Sequence, residues 1–251
     1  MKNKATIKHT NTPLLFVALF GMLSAMLSHA SMSLQDVQQL RTLDVPQLTC
    51  RQPDQKTLTI SLGTPLAHEG AGEYEIVLLA RHGLTNTPDQ CHISAKGKTH
   101  KIKKVVKGTG PGLYGDWALA LLDKPLSQNT LRLAPYSLGH SDVASFAASG
   151  GTIQVPRAMA QVSHACHMYL AEEAMHDPTD KDQIVLADCP MPAGKSGAPA
   201  IAKINNRATL VGLALGYRFN PSMDTAVRNR ASVIRLLDHQ VLQAMDRLLE
   251  E

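Results

Sequence analysis

The stretch Gly194-Lys195-Ser196-Gly197-Ala198-Pro199, running on into Ala200-Ile201-Ala202, sets one serine in a tight turn ahead of an apolar strand. A serine hydroxyl is a poor nucleophile until a neighbouring base takes its proton. Gly194 allows a sharp turn, and Gly197 with Ala198 leaves room for an adjacent strand. Alone, the turn reads equally well as an exposed polar corner. Two segments upstream carry the groups that such a serine needs. Leu79-Ala80-Arg81-His82-Gly83-Leu84 puts an imidazole at the end of the apolar run Ile76 to Ala80. Gly115-Asp116-Trp117-Ala118-Leu119 puts a carboxylate at the mouth of the apolar run Trp117 to Leu122. A carboxylate entering an apolar strand needs a partner to offset its desolvation, and an imidazole N–H supplies one. Asp116 follows His82 by 34 residues, and Ser196 follows much later. The same chemistry occurs on unrelated folds in other chain orders, so the order His, Asp, Ser carries fold information.

Around these segments the chain reads as many short strands. Thr57 to Leu62 alternates polar and apolar residues, as a half-buried strand does. Tyr74 to Leu79, Ile102 to Val106, Leu119 to Leu122, Ser145 to Ala148, Thr152 to Val155, Ile184 to Leu186, Ala200 to Ile204 and Leu210 to Leu215 are further strand candidates. Turn clusters separate them, among them Gly108 to Gly112, Ser149 to Gly151 and Asn205-Asn206. Short strands between turns indicate an all-β barrel or sandwich. One helix is expected at the end, capped by Ser232, with Val233, Leu236, Leu237, Val241, Met245 and Leu248 as its apolar stripe and Asp238 outside it.

These segments resemble those of the trypsin-like (chymotrypsin-fold) serine peptidases, particularly their exported bacterial branch. The likeness runs from about Thr57 to the C-terminal helix. Val77 to His82 is similar to the family's apolar strand ending in Ala-x-His, Gly115 to Leu119 to its aspartate segment, and Gly194 to Pro199 to its serine segment. Leu210 to Leu213 resembles the strand that follows the serine. The resemblance implies two six-stranded antiparallel β-barrels with a C-terminal helix, the lobes meeting near residues 135–150. It implies His82 as general base, Asp116 as its orienting carboxylate, Ser196 as nucleophile, and the backbone N–H groups of Gly194 and Ser196 as an oxyanion hole. Pro190, Leu213, Ala214, Leu215 and Gly216 would line the substrate groove.

Three departures qualify the likeness. Lys195 stands where the animal digestive enzymes carry the aspartate that pairs with a newly exposed N-terminus, so that activation switch is not expected. Gly83 replaces the cysteine that usually follows the histidine. Pro190 stands where a trypsin-specific enzyme has its aspartate, and the apolar Leu213 to Gly216 points to an uncharged primary pocket rather than to cleavage after Lys or Arg.

Lys2, Lys4 and Lys8 precede an apolar run from Leu14 to Leu27, and Ser28-His29-Ala30 supplies small residues for cleavage. The run is about 14 residues, short of the roughly 20 that a spanning helix needs. A removed signal over residues 1–30 is expected, hence no lasting membrane anchor and a periplasmic or secreted protein. Residues 31–56, with a weak helical pattern from Leu34 to Leu43, read as an extension or propeptide, and 57–251 as the peptidase domain. The net charge of +4 includes the lysines of the leader. The run Lys96, Lys98, Lys101, Lys103, Lys104 and Lys107 reads as a solvated strand or hairpin. It lacks the aromatic residues that stack nucleic acid, so no nucleic-acid partner is expected.

Four cysteines in an exported chain allow three disulfide pairings. Cys50–Cys91 and Cys166–Cys189 are favoured, since each pair flanks one of the three segments. A metal site drawn from His164, Cys166, His167, His176 and Cys189 is set aside, because disulfides and surface histidines explain these residues better. A phosphate-binding loop at Gly194-Lys195-Ser196 is excluded because Cys189 stands where its first glycine belongs. The reading is therefore an exported serine endopeptidase acting on protein or peptide substrates, with no cofactor and no metal. The competing reading is a catalytically idle relative that uses its groove to bind.

Overall fold

The computed structural model describes residues 45–52, 54, 58–67, 75–84, 88–126, 132–138, 142–143, 145–146, 152–155, 166–170, 184–188, 191, 194–216 and 232–250. The leader, most of residues 31–56 that precede the first strand, Cys189 and Pro190 lie outside them. Six antiparallel strands form a closed barrel: β1 (Gln47–Arg51), β2 (Leu58–Pro65), β3 (Ile76–Leu79), β4 (Cys91–Ala95), β5 (Lys98–Lys107) and β6 (Ala118–Leu122), in the order β1-β2-β3-β6-β5-β4. A second, curled sheet of seven strands follows. It contains β7 (Ala134–Pro135), β8 (Ile153–Gln154), β9 (Met168–Leu170), β10 (Ile184–Ala187), β11 (Pro199–Ile204), β12 (Arg207–Gly216) and β13 (Ser232–Leu236). Its order is β8-β11-β12-β13-β10-β9, with β7 added in parallel to β12. A helix over His239–Glu250 ends the described chain.

Burial explains why β3 and β6 read as unbroken apolar runs. Val77, Leu79, Ala118, Ala120 and Leu122 point into the barrel with Leu48, Ile93 and Ile102. Ile76, Leu78, Leu119 and Leu121 point the other way, into a second core shared with Ile201, Leu210, Leu213 and Leu215 of the curled sheet and with Val241, Ala244, Met245 and Leu248 of the helix. A strand buried on both faces loses its alternation. A third core, including Ala198, Ala200, Val211, Ala214, Ile234 and Leu236, covers the other face of the second sheet.

The turns follow their residues. Asn205 (φ 50°) and Asn206 (φ 61°) join β11 to β12, and Lys96 (φ 47°) with Gly97 (φ 74°) joins β4 to β5. These are the left-handed pairs that two-residue hairpins require. The lysine run is thus one arm of that hairpin, with Lys98, Lys101 and Lys103 exposed.

Several expectations change. The domain boundary expected at residue 57 falls inside the barrel, because β1 pairs with both β2 and β4. Its sequence Gln-Leu-Thr-Cys-Arg alternates, with Leu48 and Cys50 inward, but five residues are too few to stand out. Ser145 and Phe146 are helical rather than extended. The expected C-terminal helix is split: Ser232 to Leu236 is the fully buried strand β13, paired with β10 and β12, so Ser232 opens a strand rather than a helix. Asp238, expected outside, is 3 % exposed. It is the cap, accepting the Val241 N–H on Oδ1 (3.1 Å) and pairing through Oδ2 with the buried Arg235 (2.9 Å).

Cys50 and Cys91 face each other across β1 and β4 and are joined by a disulfide, as expected. Cys166 is also disulfide-bonded. Among the described residues no helix is long and apolar enough to cross a membrane.

Candidate active site

Strand register brings His82 to Asp116. β3 and β6 are antiparallel, with Leu79 opposite Ala118. Continuing that register places the residues just after β3 beside those just before β6, and the Arg81 N–H reaches Asp116 O at 3.4 Å. The chain then turns through the short 3-10 segment Arg81–Gly83. Asp116 uses both carboxylate oxygens on one residue: Oδ1 accepts the His82 backbone N–H (2.9 Å), and Oδ2 meets His82 Nδ1 (2.7 Å). A carboxylate only accepts, so Nδ1 carries the proton and Nε2 keeps its lone pair. The Asp116 side chain is 14 % exposed and the imidazole 46 %. The hydrogen bond from Asp116 raises the His82 pKa above its ordinary 6.5, with the carboxylate charge helping and partial burial opposing. Arg81 braces the same corner by donating from Nη1 to Gly108 O (3.0 Å).

The serine turn sits between the barrel and the curled sheet. Ala198 N–H donates to Lys195 O (3.1 Å), closing a turn with Ser196 and Gly197 at its corners. Gly197 has φ +90°, the conformation that this turn position reserves for glycine. A Cβ there would stand 1.9 Å from Leu62 O, so the clash excludes a side chain as the positive φ does, and Ala80 N lies 3.5 Å from the same point. From the barrel, Leu62 N–H donates to Ser196 O (2.7 Å) and Thr64 Oγ1 to Gly197 O (3.1 Å). From the sheet, Gly197 N–H donates to Ala214 O (2.8 Å). The turn is therefore pinned against the strand end from which His82 projects.

The Ser196 hydroxyl donates to Leu215 O at 3.2 Å rather than to His82. Gly216 (φ +99°) lies alongside, and a Cβ on it would stand 3.4 Å from Ser196 Oγ. Gly194, of the expected oxyanion hole, also has positive φ (+81°). Of the expected groove residues, Leu215 and Gly216 are thus beside the serine. The side chains of Leu213, Ala214 and Leu215 all belong to buried cores, so Leu215 meets the serine through its carbonyl alone. Pro190 falls outside the described residues.

Sequence reasoning missed Thr64, Leu62 and Ile60, which reach the serine turn from β2. Ile60 is 44 % exposed, and its carbonyl is 3.6 Å from where a Cβ on Gly194 would stand. No local signal marks these residues, because their partners lie more than a hundred positions away. A second pair, His167 and Asp188, repeats the same two-oxygen contact, with N–H to Oδ1 at 2.7 Å and Nδ1 to Oδ2 at 3.2 Å. The contact alone therefore does not mark catalysis. What distinguishes His82–Asp116 is the serine turn packed against Ala80. No family model matches the chain, and no curated protein matches it.

Proposed function

We propose that this chain is an exported serine endopeptidase of chymotrypsin-like, double-barrel architecture. The observation that carries the reading is the His82–Asp116 pair, joined through both carboxylate oxygens, beside a glycine-bracketed serine turn at the junction of two sheets. Closure of the second sheet into a barrel is supported by the bridge between Ile153 of β8 and Cys166, two residues before β9, which links the sheet's two edges.

In this reading Ser196 attacks a peptide carbonyl while His82 Nε2 takes the hydroxyl proton. Asp116 stabilises the imidazolium that forms, and the N–H groups of Gly194 and Ser196 receive the charge developing on the carbonyl oxygen. His82 then protonates the departing amine, and water repeats the sequence on the acyl-enzyme. The hydroxyl must first swing from Leu215 O towards Nε2. Such bonds commonly tighten only when substrate is bound. In this reading the backbone of Leu215 and Gly216, beside the serine, lines the groove, and the apolar character of the segment favours an uncharged side chain before the scissile bond. Export rests on the leader, with cleavage after Ala30 and release to the periplasm or medium.

The Ser196–Leu215 bond favours one second reading, an idle triad whose groove only binds. Intact-mass spectrometry after fluorophosphonate treatment separates the two. One adduct on the wild type and none on Ser196→Ala is the expected result, with peptide hydrolysis lower by several orders of magnitude in the variant. A folded wild type that takes no adduct supports the binding protein.

A further inference from the structure

Away from the serine turn, a groove of about 430 Å3 runs between β5 and the C-terminal helix. Lys104 and Lys107 line it from the barrel, and Gln240, Gln243 and Arg247 line it from the helix, with Trp117 between. Among the described residues the lining contains three cationic side chains and no carboxylate. Charges of one sign along a low-dielectric cleft focus their field on whatever enters.

Among the described residues, two polar atoms of the lining lack partners. Trp117 is 3 % exposed, and its Nε1–H, which can only donate, has no acceptor. The buried Oε1 of Gln240 also has none. Gly108 packs closely against the indole edge: a Cβ there would stand 2.6 Å from Nε1, and no positive φ calls for glycine at that position. The wall is preorganised as well. Gly108 N–H donates to Trp117 O (2.7 Å), and Gly108 O accepts from Arg81 Nη1 (3.0 Å), which fixes the segment that carries Lys107.

We infer that this groove binds a small oligoanion, a molecule with two or more charged oxygen groups. Lys104 and Lys107 take one end, Arg247 takes the other, and an acceptor oxygen takes the Trp117 N–H. The volume lies within the range of small-molecule sites, roughly 300–1,000 Å3, and exceeds what a single oxyanion needs. Trp117 belongs to the floor of the groove and offers no exposed stacking face, which disfavours nucleic acid.

Trp117 is the only tryptophan in the chain, so its fluorescence reports on this groove directly. The test is a titration of the leaderless protein with sodium tripolyphosphate at constant low ionic strength. The expected result is a saturable one-to-one change in emission that weakens as salt is added. Lys107→Gln and Arg247→Gln should each weaken binding by about tenfold or more. Lys98→Gln, exposed on the same strand but outside the groove, should leave it unchanged. A change that does not saturate, equal weakening by all three substitutions, or binding of polyglutamate but not tripolyphosphate overturns the proposal. Arg247 is exposed, so its variant is expected to fold; circular dichroism checks this. Because the readout is emission, the result stands whether or not Ser196 proves catalytic.

Discussion

Asp116 shows how one carboxylate performs two tasks. Oδ1 ties down the backbone of residue 82, and Oδ2 orients its imidazole, so the ring cannot turn without breaking a charge-assisted bond. That bond raises the His82 pKa above 6.5 against the opposing effect of partial burial. A histidine with a raised folded-state pKa adds stability that is complete below its unfolded pKa and is lost as pH rises through the folded one. Half-exposure of the ring keeps this contribution small. For chemistry the sign is opposite, since only the neutral ring accepts the serine proton. The His82 NMR titration should therefore have a midpoint above 6.5, and the rate of fluorophosphonate labelling should rise with pH through that same midpoint. Asp116→Asn should lower the midpoint and slow labelling by orders of magnitude. A wild-type midpoint at or below 6.5 contradicts the pairing.

At the scale of elements, the C-terminal helix begins where a buried charge is neutralised. Arg235 is wholly buried in β13 and donates to Tyr114 O (2.9 Å), to Leu236 O and to Asp238 Oδ2. Its guanidinium also lies 4.7 Å from the centre of the Tyr114 ring. Tyr114 is two residues before Asp116, so strand, helix cap and aspartate loop share one cation. Asp238→Ala removes both the cap and the counter-charge and should cost about 3–5 kcal/mol. Asp238→Asn keeps an oxygen for the Val241 N–H and should cost less. Urea denaturation of the three proteins checks the order, and equal midpoints would show that the pair is dispensable.

For the whole molecule, the site exists only where barrel and sheet meet. Ser196 and Gly197 offer their carbonyls to Leu62 and Thr64 of the barrel while Gly197 N–H bonds Ala214 of the sheet. Thr64 is 1 % exposed, and Thr64→Val keeps its shape while leaving Gly197 O without that donor. A stability loss of about 1–3 kcal/mol is expected. Labelling of Ser196 should slow at a temperature where the variant is still fully folded. Unchanged labelling would show that the contact stabilises the junction without positioning the serine.

The sequence by itself determined what depends on neighbours along the chain. The turn at Asn205-Asn206, the extended stretch that opens β2, the apolar runs of β3 and β6, and the three polar residues at strand ends were all legible there, although Leu58 and Ile60 of that stretch are exposed and Ser61, between Ile60 and Leu62, is buried. Tertiary structure decided what depends on distant partners. Val233 to Leu237 fits a helical stripe as well as a strand, and pairing with β10 and β12 settled it as strand through Leu236. Asp238 looked like a surface carboxylate until Arg235 was found buried beside it. Leu213 and Ala214 looked like groove residues, yet a strand with both faces covered sends its side chains into cores. The anchors Leu62 and Thr64 left no mark in the sequence, because a backbone carbonyl accepts a hydrogen bond whatever its side chain. Only the folded chain brings the two within reach.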